Sequence, residues 1–411
     1  MKTTSTLFMA SDERIRFRRI RLCMLLSGLS VFAQLYLFQP LLSDLCRFYN
    51  ISAVSGSLSV SASTIGMAVG LFVLVFKADA VSRGRLMGGA LIASSLLTLL
   101  SVLAFNYPLL LLVNFLKGTL LSGVSAVALA YLTEEVDTRN IGLAISLYLS
   151  GNTLGGMVGR VSGTLLAGWA DWHIAVFVIG AVSLLLGMMF VRLLPTSRNF
   201  RPTLVSVSAK LGQMIRLLGN RNVVGVYLIA ALSMGVFVSV YNYLSFLLES
   251  PVFGLPHYVV AGVFLMYTAG MAGSVVTGRL SDRYNPCTLL RSSLVLMLVG
   301  LLLLLVMRLE YIILGLGILT FAFFGTHTMA SRIVSLQAHE ARSSATSLYW
   351  LFYYMGSSLL GSATGVLFSG YGWEGLVTGL AILIGVSFVV ACVALPLYRV
   401  TLTPMKLSIH I

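Results

Sequence analysis

Apolar runs about twenty residues long recur along the chain, separated by short polar or basic stretches. A helix needs about 20 apolar residues to cross the hydrocarbon core of a bilayer. By that measure the sequence predicts twelve spans, at 22–43, 54–76, 86–105, 108–132, 141–168, 173–194, 223–248, 258–278, 288–307, 311–336, 346–370 and 375–398. The longest interruption, Pro195 to Asn222, carries Arg198, Arg201, Lys210, Arg216 and Arg221 and divides the spans six and six. The predicted organisation is a six-helix bundle over 1–194, a cytoplasmic linker over 195–222 and a second six-helix bundle over 223–411. Within the linker, Leu204–Leu218 has the mixed pattern of a short helix lying on the membrane surface. The basic stretch Arg14–Arg21 precedes the first apolar run. That run is too long for a signal-peptide core and no small-residue cleavage site follows it, so it reads as a first transmembrane helix.

Composition supports this pattern. The chain is 58% hydrophobic and 10% charged, whereas soluble domains carry about 25% charged residues. A formal net charge of +14 would suggest a nucleic-acid partner for a soluble protein, but its distribution argues otherwise. With the N-terminus placed in the cytoplasm, the outer loops hold only Arg47 and Arg308. Lys117, Arg160 and Arg332 fall inside spans, and the remaining Lys and Arg lie on the inner side. Cytoplasmic loops attract such an excess. The expectation is therefore an all-α membrane protein: twelve transmembrane helices in two pseudo-symmetric bundles, both termini cytoplasmic, a monomer in contact with lipid and not with nucleic acid. The four cysteines are widely spaced and form neither a metal motif nor a disulfide framework. No metal and no cofactor are expected.

One stretch is written twice. Ile145–Trp172 contains Gly151, Gly155, Gly159 and Gly163 at four-residue spacing, which sets them on one helix face. In water each interior glycine would cost about 1 kcal/mol relative to alanine. In a bilayer a small-residue stripe lets a second backbone come close, so these four are assigned to helix packing. The same text returns over Thr346–Trp373. Ser146, Leu147, Tyr148, Gly155 and Trp172 match Ser347, Leu348, Tyr349, Gly356 and Trp373 at one common offset of about half the chain. A repeat of that length predicts two related membrane halves, the plan of many transporters.

Two loops share the same relation. Gly278-Arg279-Leu280-Ser281-Asp282-Arg283-Tyr284 stands between spans 8 and 9, and Asp79-Ala80-Val81-Ser82-Arg83-Gly84-Arg85 between spans 2 and 3. Both resemble the G-x-L-S-D-R-x-G-R-[RK] loop of the major facilitator superfamily. The first copy has Val75 for the leading glycine and Ser82 for the inner one. The resemblance implies that superfamily's fold, and a gating role for Asp79, Arg83, Gly278, Asp282 and Arg283 as a cytoplasmic latch. Span 5 resembles the Gly-rich fifth helix of the drug:proton antiporter branch, with Gly155-Gly156 in place of the usual Gly-Pro pair. Tyr36-x-x-Gln39-Pro40, Ser150-Gly-Asn152-Thr-x-Gly-Gly156-Met, Phe323-Phe-x-x-His327-x-x-Ala-Ser331 and Ser347-Leu-Tyr349 look like a YnfM-type subgroup of bacterial efflux permeases. The resemblance covers essentially the whole chain and implies residence in a bacterial inner membrane. The branch's fourth-helix arginine is absent: Asn114 stands there, with Lys117 three residues on.

Charges inside spans are costly and mark function. Every acidic residue falls in a loop or at a span end, so no carboxylate is expected at mid-membrane. His327, near the middle of span 10, can change charge near neutral pH. Lys117 and Arg160 are expected at similar depth, and Arg332 is expected to reach the inner surface. Gln39 and Asn242 occupy matched positions of spans 1 and 7, where neutral amides suit a substrate. Tyr36, Asn152, Tyr241, Tyr353 and Tyr354 would add an aromatic, partly polar wall. The candidate substrate-binding set is therefore Tyr36, Gln39, Lys117, Asn152, Arg160, Tyr241, Asn242, His327 and Tyr353. No His-Glu-x-x-His, Gly-x-Ser-x-Gly or Gly-x-x-x-x-Gly-Lys motif occurs. An enzyme is not expected. The expectation is a secondary active transporter of a small organic molecule working by alternating access, as an efflux system coupled to protons. An uncoupled facilitator of a neutral or anionic solute, or a transport-inactive sensor of the same fold, is the alternative.

Overall fold

The computed structural model describes residues 2–137, 140–200, 202, 206–338 and 341–395; side chains are described from Glu13 onward, except at 79 and 342. Every regular element among them is a helix. The first half contains α1 (Lys2–Leu35), α2 (Leu42–Tyr49), α3 (Ala53–Lys77), α4 (Arg83–Leu100), α5 (Tyr107–Ser125), α6 (Ala128–Glu135), α7 (Ile141–Trp169) and α8 (Trp172–Leu193). A separate helix, α9 (Val207–Leu218), follows in the linker. The second half contains α10 (Arg221–Glu249), α11 (His257–Val263), α12 (Tyr267–Leu280), α13 (Pro286–Leu304), α14 (Leu309–Gln337), α15 (Arg342–Ala363) and α16 (Gly365–Ala394).

Local chemistry sets many of these boundaries. Ser52, Asn106, Asp171 and Asn285 cap the starts of α3, α5, α8 and α13 by accepting from Ser55 N, Leu109 N, Ile174 N and Cys287 N. Side-chain capping of this kind satisfies otherwise orphaned amides. Pro108 and Pro286 sit in the first turns of α5 and α13, where a missing N–H costs nothing. The first expected span, 22–43, is not a single helix. It stops at Leu35, and Tyr36–Leu41 forms successive tight turns before α2. Pro40 accounts for the break, since a helical proline would clash with the carbonyl four residues back, that of Tyr36. The expected spans 108–132 and 258–278 are also interrupted, between α5 and α6 and between α11 and α12. The helix expected over 346–370 ends at Ala363, and Gly372, at φ +65°, breaks α16 before its long apolar part.

Among the described residues, ten helical passes are long and apolar enough to cross a membrane. α1 and α15 are not among them. The apolar part of α1 is cut short at Leu35, and α15 carries Ser343, Ser344, Ser347, Ser357, Ser358 and Ser362. Those serines are affordable because α15 packs on both α3 and α10. Around the outside, Leu112, Phe177, Leu185, Ile382 and Val389 are more than half exposed, forming an apolar exterior suited to lipid.

The two halves repeat one helix contact. In the first, a Cβ at Gly151 would lie 2.5 Å from Leu25 O, one at Gly155 2.6 Å from Leu29 Cα and one at Gly159 2.7 Å from Ala33 Cα. The backbones of α7 and α1 therefore touch along three turns. In the second, a Cβ at Gly356 of α15 would lie 2.6 Å from Ala231 Cα of α10. Gly163 is different: its nearest neighbours are side chains at 3.7 Å.

The start of α1 and the end of α16 share one end of the molecule, here the terminal end, and the opposite end is the distal end. The halves meet across the distal portion. Ser61 Oγ of α3 donates to Ser358 O of α15 at 2.7 Å, and Ser358 Oγ returns a bond to Ser61 O at 3.0 Å. Near the distal tip, Gly168 of α7 packs directly on His257 of α11. At the terminal end, α9 lies against both halves. Lys210 Nζ donates to Val75 O of α3 at 2.5 Å, and Ser344 Oγ of α15 donates to Gln213 Oε1 at 3.0 Å.

Candidate functional site

The broken segment Tyr36–Leu41 is the centre of the site because the turns aim its side chains away from the α1 axis, toward both halves. Gln39, fully buried, accepts from Arg160 Nε of α7 at 2.6 Å through Oε1. Through Nε2 it donates to Asn242 Oδ1 of α10 at 2.8 Å. Asn242 Nδ2 continues to Gly361 O of α15 at 3.0 Å. Three helices and the broken segment, drawn from both halves, are thus joined in one hydrogen-bonded line. The amides suggested by the repeat, Gln39 and Asn242, touch each other directly.

Arg160 is 3% exposed. Besides Gln39 it donates to Gly156 O at 2.6 Å. Its guanidinium lies between two rings, 4.5 Å from the centroid of Tyr36 and 4.6 Å from that of Tyr267. Tyr36 belongs to the first half and Tyr267 to the second, so the cation is shared across the seam. A buried ion costs several kcal/mol in effective desolvation. Two desolvated cation–π contacts of about 2 kcal/mol each and two charge-assisted hydrogen bonds of about 1.5–3 kcal/mol each are of that order. The charge is held without a carboxylate: none of the described residues forms an ion pair with it.

Lys117 does not share these partners. It is fully buried, donates to Asn114 Oδ1 at 2.8 Å, and stands 4.8 Å from the Phe38 ring centroid. Asn114 in turn donates to Ser59 O at 3.3 Å. Both bases therefore rest on the same broken segment, Lys117 on Phe38 and Arg160 on Tyr36 and Gln39.

An aromatic wall runs from Arg160 into the second half. Phe237 and Phe323 stack at 4.0 Å and 9°, with Tyr267 5.7 Å from Phe237. Tyr241 bonds Thr320 at 2.8 Å and stacks on Phe264. His327 lies beyond Phe323, with Tyr353 at 4.9 Å and Trp350 at 5.4 Å. Its Nδ1 is hydrogen-bonded to Tyr349 Oη at 2.7 Å. His327, Trp350 and Tyr353 are only half-buried, deep though they sit in the fold. Asn152 lies apart from this line, on α7 against Gly28 of α1.

At the terminal end lie the two loops that carry Asp79 and Asp282. Asp282 Oδ1 pairs with Arg332 of α14 at 3.3 Å, and Arg332 also bonds Ser281 Oγ. In the first half, Arg83 pairs with Glu134 of α6 at 3.1 Å and donates to Ala78 O at 2.6 Å. The Asp79 side chain lies outside the described residues. Gly278 faces open space, with nothing near the position of a Cβ, and Arg283 lies in the turn that follows α12. Next to Glu134, Glu135 accepts from Arg16, Ser197 Oγ, Arg198 N and Asn199 N, which fastens the start of the linker to α6.

Sequence reasoning missed Tyr267, Trp350 and the Ser61–Ser358 seam. Tyr267 had a usable signal, an aromatic at the depth of Arg160 on the facing half. A serine in an apolar helix carries no sign of which neighbour it will meet.

Residues 22–361 match the profile of the Major Facilitator Superfamily. The chain is 34% identical over 362 residues to the uncharacterized MFS-type transporter YybF of Bacillus subtilis (strain 168), covering 88% of this chain and 89% of that one. It is 33% identical over 375 residues to the inner membrane transport protein YnfM of Escherichia coli (strain K12), covering 91% and 90%. The resemblance to YnfM-type proteins is borne out. In fold it matches the crystal structure of a bacterial homologue of the human lysosomal transporter Spinster in its inward-facing, unoccupied conformation. The TM-score is 0.74 at 16% identity, over 92% of this chain and 95% of that one. These relatives are transporters and not enzymes, and the chain belongs to the major facilitator superfamily.

Proposed function

We propose that the chain is a secondary active transporter that exports a small organic solute across a bacterial inner membrane. In this reading twelve spans cross the bilayer with both termini in the cytoplasm, counting α1 and α15 with the ten more apolar passes. Bundles 1–194 and 223–411 rock about the central site, joined by the linker 195–222. The distal end then faces outward, and its seam of Ser61, Ser358 and Gly168 makes the described state inward-facing. The loops at Asp79 and Asp282 act from the cytoplasmic side, Asp282 through Arg332 and the first loop through Arg83 and Glu134. The protein functions as a monomer.

The observation that carries this reading is the Arg160–Gln39–Asn242–Gly361 line. It joins the halves well inside the bundle, where a substrate bound to one half would be felt by the other. Two-state rocking needs a site whose contacts differ between the states, and this line cannot survive separation of the halves. Protons are the proposed coupling ion, with His327 as their carrier: it stands in the wall of the same site, bonded to the Tyr349 hydroxyl. The test is flux in proteoliposomes under an imposed pH gradient, across sugars, amino acids, organic anions and cationic dyes. Gradient-driven movement against a solute gradient, with a pH profile flattened by His327→Ala, is expected. Flux indifferent to the gradient for every solute would refute coupled transport.

A further inference from the structure

At the seam, the Arg160 guanidinium has no counter-charge among the described residues, and a tyrosine hydroxyl beside it has no partner. Arg160 uses Nε and one terminal nitrogen on Gln39 and Gly156, and none of the described residues bonds its other terminal nitrogen. The Tyr267 hydroxyl, whose ring covers the guanidinium, is buried and unpartnered. The Tyr36 and Ser357 hydroxyls, buried beside it, stand within reach of each other. Buried polar groups in native proteins are nearly always paired, so an unpartnered hydroxyl beside a cation with a spare N–H describes what is missing. The missing group is an acceptor, and a negative one.

A lipophilic cation is the opposing candidate, since aromatic rings without a carboxylate can hold a quaternary ammonium. Here the two ring faces nearest the seam, those of Tyr36 and Tyr267, are already occupied by the Arg160 guanidinium, and a second cation there would be repelled. The rest of the wall shows what the remainder of the ligand meets. From Tyr267 it continues through the stacked Phe237 and Phe323 to Tyr353 and Trp350. The last two are only half-buried, leaving ring surface free for a further ring.

We propose that this site binds an aromatic carboxylate, its charged group on Arg160 and the Tyr267 hydroxyl and its ring against Phe323, Tyr353 and Trp350. The inference rests on the transporter reading, to which it adds the substrate class. An anion satisfies the free guanidinium nitrogen and the unpaired hydroxyl together, and the ring takes the remaining aromatic faces. Gln39 then acts as a positioning residue, since its bond to Arg160 Nε fixes the guanidinium plane.

The test is direct binding to the purified full-length protein in detergent at about pH 7, where a carboxylic acid is ionised, read by calorimetry. The probes are benzoate, benzamide and benzyltrimethylammonium, which share the ring and differ in charge. Benzoate is expected to bind at least about tenfold more tightly than benzamide, and the ammonium probe more weakly than either. Arg160→Gln should abolish the preference for benzoate over benzamide. Tyr267→Phe, which keeps the ring, should weaken benzoate several-fold and serves if Arg160→Gln does not fold. Equal or tighter binding of the ammonium probe, a benzoate preference that survives these substitutions, or no binding of any probe would overturn the assignment. Gradient-driven flux of other solutes without an anion preference would sink this inference and leave the transporter reading standing. Benzoate binding without gradient-driven flux would do the reverse.

Discussion

Replacing Gly155 by alanine tests the packing of α7 on α1 with the smallest available change. A Cβ there would lie 2.6 Å from Leu29 Cα, with the Leu29 carbonyl closer still. Restoring ordinary contact requires the helices to part by roughly 1 Å, and overpacking of this kind costs about 1–3 kcal/mol. Because Gly151 and Gly159 make the same approach to Leu25 and Ala33, parting at the middle turn loosens the turns on either side, which favours the upper part of that range. Gly163 provides the control on the same helix. Its nearest neighbours are at 3.7 Å, so Gly163→Ala adds no clash and gains up to about 1 kcal/mol of helix propensity. Heat unfolding of a large multi-span protein is commonly irreversible, so the readout is the rate of loss of the monodisperse species at a fixed temperature. Gly155→Ala should be lost markedly faster than wild type, and Gly163→Ala no faster. Equal rates for Gly155→Ala and wild type, or equal acceleration by both substitutions, would refute the idea that backbone approach sets the contact.

Three further outcomes are expected. Asp282→Asn removes the charge that meets Arg332 at 3.3 Å; turnover should fall while affinity stays within a few-fold, and wild-type rates would reduce the loop to a connector. Single cysteines at 49 and 341 should label from opposite faces of oriented vesicles, 341 from the cytoplasmic face; the reverse assignment would overturn the topology. Burial pushes the Cys46 thiol of α2 from 9.0 up to about 11, against smaller opposing effects of Gly56 and Arg47. The thiolate is the reactive form, so maleimide labelling of Cys46 should climb about tenfold per pH unit and keep climbing through about pH 10. A plateau near pH 8.5 would show an ordinary, solvated thiol.

The architecture was largely legible because it follows from lengths, charges and a repeat. Gln39 and Asn242 were paired by register alone, and they touch. The break at Tyr36–Leu41 was not seen, because Pro40 sits in an apolar run whose hydropathy gives no sign of where the helix stops. That break decides the site, since it turns Tyr36 and Gln39 toward Arg160 and Phe38 toward Lys117. The different partners of Lys117 and Arg160 did not follow from helix rise, since rise fixes height along an axis and not direction around it. Trp350 was hidden for another reason: in a chain with 22 Phe and 17 Tyr, an aromatic side chain carries little information until its neighbours are known.

The linker helix α9 has a mechanical consequence. It grips α3 through Lys210 and α15 through Gln213, one element from each half, on the side where the proposed motion must bring the halves together. A slack connector would leave the stroke to be limited by collision of the bundles. In the proposed rocking motion, a crossbar fastened at both points would act as a leash, limiting how far one half swings before the other is drawn along.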